Sequence, residues 1–270
     1  MSLGIVIKAP EGLVLAAESR VTLTATPPAG PPVNVGYDNA TKLLSFSSPH
    51  DGIGVVTYGA AAIGLRTAHS FIPELEAALQ KEKLSVTDFA RALSDFYMQQ
   101  WNAVMPADYA GPSMTFVVSG YDDGEPYGTV CVLDIPANPQ PREQHPGAEF
   151  GITWGGQRDV VDRLIQGFDA RLPDVVAESL SLEQAQTDAL RQALQQFQMA
   201  IPLPAMPLQD CVDLAIFFIR TTIDAQALTV GIRGCGGPID VAIIRRREGM
   251  TFVQQKRISG EFGAGTWMQG

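Results

Sequence analysis

The chain has 270 residues, of which 46% are hydrophobic and 18% charged, so it is no disordered polymer and is long enough to bury a full core. Lys and Arg number 19 against 29 Asp and Glu, a net charge of −10. That balance argues against a nucleic-acid binder, which needs a basic face, and against adsorption to acidic membranes.

Leu3 to Ile7 and Leu13 to Ala17 are short aliphatic runs joined by Pro10-Glu11-Gly12. They read as a hairpin that begins almost at residue 1. Thr24 to Pro32 reads as a loop, and Lys42 to Phe46 and Gly52 to Tyr58 as two more strands. The period then changes. Ile63, Ala68, Phe71, Ile72, Leu75 and Leu79 predict an amphipathic helix from Ala60 to about Leu79. Ser85 caps a second helix reaching about Trp101. Ser113 to Gly120 and Thr129 to Leu133 are strands around the turn Asp122-Asp123-Gly124. Ile135 to Pro146 is proline-rich and reads as a connection, and Phe150 to Trp154 as a short extended piece. Gly155-Gly156 is expected to open a helix to about Ala170, and Ser181 with Gln184 a capping box for a helix to Met199. An extended connector, Ile201 to Pro207, precedes a helix from Leu208 to Ile223. Ile239 to Ile244 and Thr251 to Gln255 close the pattern as a hairpin.

Strands come in hairpin sets and do not alternate with single helices. This excludes a doubly wound nucleotide fold and predicts an α+β class: a four-layer α-β-β-α sandwich of two antiparallel sheets. Residues 1–260 are expected to form one domain, with 173–207 as an insertion and 261–270 as a flexible tail. Cys131, Cys211 and Cys235 are too scattered for a disulfide framework or a zinc site. They read as buried, reduced thiols of a cytoplasmic protein. No cofactor or metal is implied. The first apolar run ends at Lys8, too early for a signal peptide, and Leu214 to Ile219 is far short of the ~20 residues of a membrane span.

Several segments carry a resemblance. Gly4 to Ile7, Gly12 to Thr22, Thr41-Lys42-Leu43 and Gly54 to Gly59 resemble the start of 20S proteasome β-type subunits and their bacterial relatives. Gly120-Tyr121-Asp122 and Gly236 to Val241 fit later parts of the same plan. The resemblance implies the N-terminal-nucleophile hydrolase fold, peptide or protein substrates, and assembly into a homo-oligomeric ring. In that chemistry one residue supplies both a hydroxyl nucleophile and, through its α-amine, the base. Met1 precedes Ser2, and its removal would leave Ser2 at the terminus. Glu18 stands sixteen positions after Ser2, the family's spacing between nucleophile and first-hairpin carboxylate. Gly156 is the candidate oxyanion donor through its backbone amide.

Three segments depart from the family. Asp38 stands where the family has its catalytic lysine, which would set two carboxylates together beside Glu18; Lys42 matches a lysine the family does not use in catalysis. Gly155 stands where a serine assists the amine. Ile232 and Cys235 replace an aspartate and a serine. Two readings follow: a slow peptidase using Ser2, or a non-catalytic structural subunit with a degenerate site.

Overall fold

A computed structural model describes residues 2–260 except 26, 28, 29, 32 and 232. The residues 261–270 expected to be a tail lie outside the described residues, as does Ile232.

The predicted first hairpin is β1 (Leu3–Ala9) and β2 (Gly12–Glu18), buried along its whole length. It sits at the centre of a five-stranded antiparallel sheet with β10 (Gly151–Gly156), β11 (Ile239–Arg245) and β12 (Gly249–Gln254), in the order β10-β1-β2-β11-β12. A second antiparallel sheet takes β5 (Leu43–Ser45), β6 (Gly54–Gly59), β7 (Met114–Gly120), β8 (Thr129–Ile135) and β9 (Asn138–Gln144) in chain order. A separate two-stranded ribbon is made of β3 (Val21–Ala25) and β4 (Val33–Tyr37).

Period-2 alternation explains the layering. Val6, Leu13 and Leu15 point from the first sheet onto Leu43, Val56 and Val117 of the second. The opposite face of the first sheet presents Leu3, Ile5 and Ile7 to Phe218 and Ala215 of α6 (Leu208–Leu228) and to Val161 of α3 (Asp159–Gln166). The outer face of the second sheet presents Val55, Phe116 and Val118 to Phe89, Leu93 and Tyr97 of α2 (Val86–Val104). Each such side chain contributes about 1.5–3 kcal/mol by leaving water. The outcome is the four-layer α-β-β-α sandwich that the element order implies.

Several expectations are corrected. The helix expected over 60–79 shrinks to a 3₁₀ turn, Ala68–Phe71, and α1 (Ile72–Ala78). Pro73 has no N–H and fits only a first helical turn, so the helix starts beside it rather than running through it. The proline-rich connection is in fact β9; it lies at a sheet edge, where a missing N–H costs no ladder bond. Gly155-Gly156 ends β10 instead of opening a helix. In the insertion, Ser181 is the left-handed stop of α4 (Leu172–Leu180), and the capping box is formed two residues later by Glu183 and Gln186 at the start of α5 (Gln184–Leu194). Part of the connector before α6 winds into a 3₁₀ turn, Leu203–Ala205. Among the described residues no helix is long and apolar enough to cross a membrane.

Candidate active site

Ser2 sits just ahead of β1 and is 4% exposed. By alternation it shares a face with Gly4 and Val6, toward the second sheet. Its carbonyl accepts a hydrogen bond from the Gln157 amide at 2.6 Å. The next pair in the ladder is Leu3 opposite Gly156. Gly156 has φ of +93°, and a Cβ there would lie 1.8 Å from the Ser2 carbonyl oxygen, so only glycine lets β10 close on this end of β1.

Glu18, the last residue of β2, is fully engaged. Its Oε1 accepts from the Leu3 amide at 3.2 Å and from the Lys42 ammonium. Its Oε2 accepts from the amides of Arg20 (2.7 Å) and Gly236 (2.9 Å). Four donors fix this buried carboxylate in place. Lys42 also donates to the Arg20 carbonyl, which leaves one of its three N–H groups for the cleft it lines with Ser2. Burial pulls the Lys42 ammonium below the usual lysine value, and attraction to Glu18 opposes that pull.

This geometry overturns the expected clash of carboxylates. Asp38 does not face Glu18. It forms a two-pronged pair with Arg20, Nε to Oδ1 at 2.5 Å and Nη2 to Oδ2 at 2.8 Å. That pairing draws the Asp38 carboxyl below its ordinary value. A buried cation does line the Ser2 cleft, and it is Lys42. Sequence reasoning passed it over because a match of local order placed the lysine four residues earlier. A buried cation lining the same cleft as Ser2 is the signal, and it exists only after folding.

The cleft around Ser2 is walled by Val21, Thr41, Lys42, Thr57, Tyr58 and Ala60. Its enclosed part measures about 20 Å³, room for a single water. A second donor comes from β6. The Thr57 amide donates to the Lys42 carbonyl, and the Ala60 amide donates to Ser113 across the other edge. Alternation therefore turns the Gly59 amide to the β5 side, where β5 has ended and the cleft begins. Cys235 is buried beside Glu18, and burial followed by the negative charge of Glu18 pushes its thiol up to about 12, a poor nucleophile. Among the described residues no cluster of His, Cys, Asp and Glu could hold a metal ion.

No family model and no curated protein matches the sequence. Solved structures do. The chain is similar to a Gly-1 mutant of Anbu from Hyphomicrobium sp. strain MC1, with TM-score 0.54 and 14% identity over 97% of this chain and 88% of that one. It is also similar to the helical assembly of the Anbu complex from Pseudomonas aeruginosa, with TM-score 0.56 and 16% identity over 94% and 88% of the two chains. The fold is of the N-terminal-nucleophile hydrolase type. At such identities the likeness speaks for the fold alone. It corrects the resemblance read from sequence: these two structures are of Anbu, not of 20S β-subunits.

Proposed function

We propose that this chain is an amide hydrolase, acting on peptides or proteins through Ser2 as an N-terminal nucleophile. The observation that carries the proposal is the buried Lys42–Glu18 pair, with Lys42 lining the same cleft as Ser2. With Met1 removed, the Ser2 α-amine takes the Oγ proton as Oγ bonds to the carbonyl carbon. The carbonyl electron pair moves onto oxygen, where the Gly59 amide is the proposed donor. Collapse of this intermediate breaks the C–N bond, and the departing nitrogen carries away the proton held by the amine. Water then cleaves the Ser2 ester by the same route. The positive charge of Lys42 lowers the proton affinity of the groups around it. The slow rate expected without a lysine no longer follows.

The reading extends to assembly and setting. One relative of the same fold forms a helical assembly, which supports a homo-oligomer built from residues 2–260 acting as one unit. The cysteines are all free and buried, in keeping with the reducing cytoplasm. Intact mass after treatment with a β-lactone tests the chemistry. An adduct on the N-terminal peptide of wild type, absent from Ser2→Ala, is the expected result. An unmodified wild type, or one that keeps Met1, sinks the proposal. Light scattering tests assembly, and a monomer at micromolar concentration would contradict it.

A further inference from the structure

Tyr58 stands in the wall of the Ser2 cleft and is seated in an unusual slot. Gly4 and Gly155 are direct partners across β1 and β10. A Cβ on Gly4 would meet the Tyr58 ring at 2.8 Å. One on Gly155 would lie 2.3 Å from both the Tyr58 Cζ and its hydroxyl oxygen. Two paired glycines thus clear the space that one aromatic ring fills, and the phenol ends where a side chain of residue 155 would begin. Ser2 lies on the same face of β1 as Gly4. Since Leu3 pairs with Gly156, Gly155 is the diagonal neighbour of Ser2 across the two strands, within reach of a long side chain. The Tyr58 hydroxyl has no hydrogen-bond partner among the described residues. Burial pushes the phenol up to about 12, so it stays neutral and adds no charge to the site.

We infer that Tyr58 is a positioning residue for the reaction: its phenol oxygen accepts an N–H of the Ser2 α-amine and turns the amine lone pair toward Ser2 Oγ. The inference rests on the Ser2 reading. An acceptor at this place favours the ammonium over the free amine. Removing it therefore lowers the apparent pKa of the base while leaving the base poorly oriented.

The test follows β-lactone modification of Ser2 by mass spectrometry, across pH, in wild type, Tyr58→Phe and Gly155→Ala. Tyr58→Phe keeps the ring in its slot. It is expected to slow the limiting rate by about 3- to 10-fold, the worth of one hydrogen bond, with half-saturation and melting temperature unchanged. The acid limb of its pH profile moves to lower pH. Gly155→Ala, which displaces the ring while keeping the hydroxyl on the chain, shows a similar slowing. A Tyr58→Phe rate and acid limb equal to wild type overturn the inference and leave the Ser2 reading standing. So does a slowing of Tyr58→Phe that comes with a lowered melting temperature of that variant, since that marks a packing role. A wild type that is never modified removes both.

Discussion

Two ion pairs of this chain use the same chemistry and teach opposite lessons. Lys42–Glu18 lies between strands with side chains 5% and 0% exposed, and every acceptor position of the carboxylate is met by a donor. Arg191–Asp174 ties α5 to α4 in the insertion with side chains 47% and 70% exposed. In water the second pair is solvated and screened, and holding two long side chains together costs entropy, so its net worth is small. In the interior each is the other's ion-pair partner, so loss of one leaves a buried charge held by backbone dipoles alone. The buried pair is thus a structural tie and, in the proposed mechanism, a fixed source of field at Ser2; the exposed pair is neither.

The contrast is sharpest in single substitutions. Lys42→Met is expected to destabilise by about 3–5 kcal/mol in urea unfolding, because Glu18 is left uncompensated. Where the variant still folds, modification of Ser2 should fall by about 100-fold or more. If it falls no further than in Arg191→Ala, Lys42 is only structural. Next in size is Gly155→Ala. Its methyl meets the Tyr58 ring in a closed space, and overpacking of that kind costs about 1–3 kcal/mol, read as a lowered melting temperature.

His50 sharpens the comparison from another side, as a buried titratable group with no carboxylate partner of its own. Its ring stacks 5.3 Å from Phe89, and its Nε2 accepts from the Leu84 amide at 3.4 Å. Burial holds its pKa below the ordinary 6.5. Below pH 6.5 the unfolded chain therefore takes up the proton before the folded one does. Stability from His50 is complete above that pH and is lost as pH falls through it toward the folded value. His50→Gln should flatten the pH dependence of urea midpoints between pH 5 and about 7. A slope unchanged by the substitution assigns it to other groups. The smallest effect belongs to the exposed pair: Arg191→Ala should shift stability by about 0–1 kcal/mol, less still in high salt. A loss above about 2 kcal/mol would show that the α4–α5 hairpin is held by more than packing.

The sequence by itself determined the layers. Near-continuous apolar runs in β1, β2, β7 and β8 and the three- to four-residue spacing in α2 dictate which faces must be buried, and two such sheets packed together with helices outside are the arrangement that satisfies them all. Glu18 was singled out through the resemblance, which implies its spacing from Ser2; the β1–β2 register, with Gly4 opposite Ala17, then sets Glu18 at the Ser2 end of the hairpin. Lys42, Gly59 and Tyr58 were not. Lys42 returns to Glu18 only after the β3–β4 ribbon, and no local rule says which of Asp38 and Lys42, four residues apart, turns inward. The choice is made by Arg20, which claims Asp38 at the surface and lets Lys42 enter the interior. Gly59 and Tyr58 lie on alternate sides of β6, and their roles depend on where β5 ends and on how β10 meets β1. Those are contacts between strands far apart in the chain. A side-chain pattern encodes which face is buried, and tertiary packing alone decides which neighbour fills it.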